Sequence, residues 1–157
     1  MRFRCLNAAE LAPLADEFIK FIALNGIDAG SWEKIKQTKP DEAEAFILDF
    51  SDMVFLRSLK NIKTIEFRTP ARWRVFRFAE TQAQMLEVHS IDAETTDLEI
   101  LDLRDIFDGE THYGNIIFYK LEKNYVAERR EDELFALLQS GATIAEDLVF
   151  EQLQGLI

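Results

Sequence analysis

The sequence predicts an α+β domain with N-terminal helices, a central and mostly antiparallel sheet of about four strands, and C-terminal helices. Three observations carry this reading. Apolar residues recur at helical spacing up to about residue 60, the period shortens to two from Ile62, and helical spacing returns after Val126. No internal repeat, low-complexity tract or Gly/Ser linker interrupts the chain, so residues 1–157 read as a single domain.

Each element has local grounds. Arg2–Cys5 reads as a short strand. Asn7 followed by Glu10 marks a helix start, and Leu11, Leu14, Phe18, Phe21 and Ile22 continue it to Asn25–Gly26, a left-handed stop. That gives a first helix over about residues 8–25, with Pro13 tolerated near its start. Asp28 or Ser31 caps a short second helix carrying Trp32 and Ile35 inward. Pro40 opens a third at a first helical position, with acids at its start and Arg57 and Lys60 at its end, as the helix dipole prefers. Phe46, Ile47, Phe50, Met53, Val54 and Phe55 cover more than one stripe of that helix, which predicts deep packing.

Three strands follow in "IKTIEFRT", "RWRVFRFAE" and "QMLEVHSID", with "ETQAQ" as the turn between the last two. Short sequential connections favour antiparallel pairing. The stretch "TTDLEILDLRDIF" satisfies neither period and reads equally as strand or short helix, whereas "NIIFYKLE" is a further strand. "AERREDELFALLQSG" is a helix stopped by Gly141, and in "TIAEDLVFEQLQGL" Thr143 with Glu146 forms a capping-box pattern for a last one.

Composition narrows the chemistry. Thirteen phenylalanines in 157 residues require an aromatic core. A net charge of −11 disfavours double-stranded nucleic acid, which is bound by releasing counterions to a basic surface. The charge is uneven, +3 over residues 61–80 and −8 over 81–110, so these segments can neutralise each other if they pair. A single cysteine excludes an internal disulfide and fits a reducing compartment. Neither a signal-peptide pattern nor an apolar run of about 20 residues is present, so the reading is cytoplasmic, with no membrane partner. Six glycines form no phosphate-cradling loop, and no nucleophile elbow occurs, so no cofactor and no catalytic residue is nominated.

Two constellations remain. In "FRTPARWRVFRF", Arg68, Arg72, Arg74 and Arg77 interleave with Phe67, Trp73, Phe76 and Phe78. Arginine beside aromatic rings grips single-stranded nucleic acid or another anion by ion pairing and stacking. Arg68, Arg72, Trp73, Arg74 and Arg77 are therefore candidate binding residues, unless the arginines pair with Glu66, Glu80 or Glu87 on neighbouring strands. In "DIFDGETHYGN", Asp108, Glu110 and His112 alternate, and sheet pairing can bring His89 beside them as metal ligands or an acid–base set for a small hydrolase. Gly109 and Gly114 instead mark the stretch as a polar loop.

At "LADEFIKFIALNGIDAGSWEKIK" and "FSDMVFLRSLKNIKTIEFRTP" the chain resembles an uncharacterised family of short bacterial proteins, a domain of unknown function of about 160 residues. The resemblance covers roughly the first half, implies a bacterial, cytosolic setting and transfers no site residues. The functional expectation is a non-catalytic accessory or regulatory protein that acts through protein–protein contacts, with a protein partner or a homo-oligomer. Its candidate surfaces are the acidic segment 87–110 and the arginine-rich strand.

Overall fold

Two helices in the first part of the chain begin where a side-chain oxygen holds a free backbone N–H. The structure is a computed structural model that describes residues 2–107 and 115–157, with 106 and 107 described by backbone alone. It divides into two units, Met1–Ser58 and Leu59–Ile157.

In the first unit, Asn7 caps α1 (Ala8–Leu11): its side chain accepts the Glu10 N–H at 3.0 Å, and the Glu10 carboxylate accepts the Asn7 N–H at 2.9 Å. The single helix expected over 8–25 is broken. A 3-10 turn at Ala12–Leu14 separates α1 from α2 (Ala15–Leu24), because Pro13 lacks an N–H and fixes its own backbone angle. Gly26 then takes φ +78°, the left-handed stop. Asp28 caps α3 (Ala29–Thr38) by accepting the Ser31 N–H at 2.7 Å, and Pro40 opens α4 (Pro40–Lys60).

Aromatic rings build this unit's core. Phe18 meets Trp32 and Phe50 edge-on, each at 5.1 Å between centroids, and Phe50 is fully buried. The α4 helix is packed along one side and not all around: Ala43, Phe50 and Leu59 are buried, Phe46 and Ile47 half-buried, and Met53 exposed. Arg2–Cys5 forms no strand. Its donors go to α4 side chains, with the Phe3 N–H on Asp52 at 2.9 Å and the neighbouring Leu6 N–H on Ser51 at 3.0 Å.

In the second unit, β1 (Thr64–Thr69), β2 (Arg72–Phe78), β3 (Gln82–Ser90), β4 (Ile116–Asn124) and β5 (Thr143–Ile144) form an antiparallel sheet in the order β4-β3-β2-β1-β5. The turn between β2 and β3 is tighter than "ETQAQ", since the Ala79 N–H already reaches the Gln82 C=O at 2.8 Å. The ambiguous stretch resolves into turns followed by the short helix α5 (Leu103–Phe107).

The fifth strand replaces an expected helix cap. Thr143 and Ile144 pair with Glu66 and Ile65, so the Thr143–Glu146 capping box does not form and α7 (Asp147–Gln154) starts later, after Glu146. Sheet hydrogen bonds claim the same backbone groups that the cap would have needed. Before β5, α6 (Arg130–Gln139) ends as expected near Gly141, whose φ is +109°.

Period-two alternation sorts the sheet into two faces. One carries Trp73, Val75, Leu86, Val88 and Ile116, buried against Phe150 and Leu153 of α7 and against Leu98. The other carries Phe67, Arg74, Glu87 and Tyr119 in one cross-strand row and Ile65, Phe76, Met85 and Leu121 in the next. Phe150→Ala should cost about 3–5 kcal/mol in urea unfolding, as its ring has no exposed surface and would leave a cavity.

Charge adds a pH-dependent element in the first unit. The Arg4 guanidinium, donating to Glu10 at 2.7 and 2.6 Å, and the Asn7 N–H together lower the Glu10 carboxyl to about 2. A folded-state value below the unfolded one means this contribution is present above the ordinary carboxylate range and fades as pH falls toward about 2. Carboxyl NMR should give a Glu10 midpoint near that value in the native chain, moving upward in Arg4→Ala.

Candidate functional site

The arginine-rich strand is β2, the central strand of the antiparallel ladder, and alternation splits the candidate residues between two faces. Arg68, Trp73 and Arg77 share the α7 face, while Arg72 and Arg74 share the other. The five do not converge on one site.

On the α7 face they form two internal groups. The indole of Trp73 is fully buried, and its N–H donates to the Glu66 carboxylate at 2.7 Å. Arg68 donates to the same oxygen at 3.1 Å, lies over the Trp73 ring with its guanidinium carbon 3.7 Å from the centroid, and reaches the Leu101 C=O at 2.9 Å. Arg77 covers the Phe150 ring and donates to the Asp147 C=O at 2.9 Å and to Glu151 at 3.3 Å. Beside it the Thr64 hydroxyl donates to the Asp147 carboxylate at 2.6 Å, so β1 and β2 together hold the start of α7.

On the second face, Arg74 donates to Glu87, whose side chain is almost wholly covered. His89 Nδ1 lies 3.9 Å from the other Glu87 oxygen, beyond hydrogen-bond length. Arg72 stands exposed opposite His89 and has no side-chain partner among the described residues. The expected Arg–Glu pairing across strands thus occurs at Arg74–Glu87, whereas Arg68–Glu66 lies within β1. Of the proposed metal or acid–base set, His89 lies on β3, and Asp108, Glu110 and His112 lie outside the described residues. Among the described residues no three metal-ligating side chains come together.

The acidic segment has a local structural use. Asp92, Asp97 and Asp102 each accept the backbone N–H two residues on, at 3.1, 2.9 and 2.9 Å. Such aspartate-closed turns lead the chain from β3 to α5 and give three of the acidic side chains there a structural use. Asp102 also pairs with Arg104 at 2.8 Å, and that guanidinium with the Arg104 N–H holds its carboxyl at about 2.

A buried arginine that the sequence reading passed over fixes the other end of this unit. Arg130, at the start of α6, donates to the carbonyls of Leu59, Ile62 and Phe78 at 3.3, 2.6 and 3.5 Å. It supplies donors to the end of α4, where backbone carbonyls have no helical partner. A cleft of about 600 Å³ opens there, lined by Lys60, Lys63, Arg77 and Arg130 and by as many carboxylates, so it has no net sign.

The feature that the fold leaves unexplained is β4. Ile117, Tyr119 and Leu121 line its second face and are 40%, 46% and 60% exposed, while Ile116 and Phe118 face α7. A run apolar on both faces belongs in the middle of a sheet; β4 is at its end. Beside it lies a groove of about 380 Å³ between this face and α6, lined by Phe76, Met85, Leu121, Tyr125 and Leu137. The sequence contained this signal, because "IIFY" is apolar at both parities, but only the strand order reveals that its outer side is open.

Trp73→Phe removes the indole donor while keeping a ring beneath Arg68. Urea denaturation should show a loss of about 1–3 kcal/mol, since part of the hydrogen bonding to the half-buried Glu66 carboxylate goes with it.

Among the described residues no helix is long and apolar enough to cross a membrane. No curated protein and no solved structure matches the chain. A family model does, over residues 1–157, and by that match the chain belongs to the family of unknown function DUF6495.

Proposed function

We propose that this protein is a non-catalytic accessory module that acts through protein–protein contact, and that its contact surface is the outer strand β4 with the apolar face beside it. One observation carries the reading: Ile117, Tyr119 and Leu121 stand exposed in line on one side of an end strand. Other exposed apolar residues, such as Leu24, Ile100 and Val126, are scattered along the chain; those three share one strand face. Arg68, Arg74 and Arg77 are engaged within the chain, which moves the contact surface away from the arginine-rich strand. The lone Cys5 and the family resemblance fit a bacterial, cytoplasmic setting.

Photo-crosslinking in the native host tests this. A benzophenone side chain at position 119 should give a discrete adduct to a polypeptide, identifiable by mass spectrometry, and Leu121→Arg in the same chain should abolish it. No discrete adduct, or one formed equally from exposed Gln37 on α3, would reject the proposed surface.

A further inference from the structure

The outer edge of β4 carries a pattern that matches itself. The ladder to β3 is closed at its two ends by the Ile91 N–H on the Asn115 C=O at 2.8 Å and the Tyr125 N–H on the Thr81 C=O at 2.9 Å. Both use odd-numbered residues of the β4 side, and the register between them is unbroken. Antiparallel alternation therefore turns the N–H and C=O groups of Ile116, Phe118, Lys120, Glu122 and Asn124 outward. Among the described residues no strand pairs with them.

Lys120 and Glu122 stand on either side of Leu121, both exposed on the face opposite to its side chain. Lys120 has no partner among the described residues, and Glu122 accepts only a neutral amide, from Gln84 at 2.7 Å. Charges on an end strand ordinarily deter pairing, because an incoming strand places them opposite apolar or like-charged residues. Two opposite charges flanking one residue allow a self-match. If two copies of β4 run antiparallel about a two-fold axis through Leu121, Lys120 of each lies opposite Glu122 of the other, twice.

The same register satisfies the backbone. Lys120 opposite Glu122 and Phe118 opposite Asn124 are both pairs of outward-pointing residues, giving about eight main-chain hydrogen bonds at two per pair. On the other face Leu121 meets its own copy in the close, non-hydrogen-bonded position, and Tyr119 lies across from Lys123. Shifting the axis to residue 120 sets Lys120 against itself, and shifting it to 119 sets Lys120 against Phe118.

We propose that the occupant of this edge is a second copy of the chain, joined through β4 in the register centred on Leu121 into one continuous ten-stranded antiparallel sheet. This rests on the reading of β4 as the contact surface and names the partner. The two-fold contact is self-complementary, as symmetric dimers require, and its size is that of a weak or transient interface.

The test is sedimentation of the full chain over roughly 1–500 µM, the range in which a contact of this size dissociates. The native chain should form a dimer with concentration. Lys120→Glu and Glu122→Lys singly place like charges opposite each other at both positions and should weaken it by on the order of tenfold; the double variant K120E/E122K restores opposition and should recover it. Circular dichroism and thermal unfolding of all four chains check that the exposed substitutions leave the fold intact. A monomer throughout the range, or a dimer that neither reversal weakens, overturns the proposal. If the chain is monomeric while position 119 still crosslinks to a different polypeptide, self-pairing falls and the contact surface stands.

Discussion

Pairing of β2 with β3 is the constraint on which the rest of Leu59–Ile157 depends. Its register sets Trp73 against Val88 and Val75 against Leu86, and the resulting apolar face can be buried only by another amphipathic element. The α7 helix meets that need with Phe150 and Leu153. Polar groups that must lie in the same layer are absorbed by one another: Glu66 accepts from Trp73 and Arg68, and Asp147 takes the Thr64 hydroxyl. Buried polar atoms are costly unless paired, and this layer pairs nearly all of them; Ser90 Oγ is the exception among the described residues.

An open sheet has two ends, and the two are treated differently here. At one end β5 is only two residues long, so it presents little free backbone. At the other, β4 extends for nine residues with apolar side chains on both faces. Arg68, Arg74 and Arg77 are internal ties, whereas Ile117, Tyr119 and Leu121 of β4 stand exposed.

Much of the fold was legible because it follows from short-range chemistry. Asn7 with Glu10, Asp28, Pro40 and Gly141 each act within one turn of helix, and all are found doing so. The strands showed through their period of two. The misreadings arose where long-range pairing overrode a local preference: Thr143 and Ile144 joined β1 when their sequence fitted a helix cap, and the donors of residues 2–5 were taken by α4. The site was less legible. A sequence shows that Arg72 and Arg74 differ in parity from Trp73, but not that β2 lies inside the sheet and β4 at its end. Nor could it show that Asp92, Asp97 and Asp102 spend their charge on turns.

The outward amides of β4 report most directly on whether its edge is covered in solution. Hydrogen exchange followed residue by residue at low and high protein concentration separates them from the inward ones, which the β3 ladder protects in either case. The Phe118, Lys120, Glu122 and Asn124 amides should gain protection as concentration rises, while those of Ile117, Tyr119, Leu121 and Lys123 stay protected throughout. Even-numbered amides that exchange freely at every concentration would contradict it.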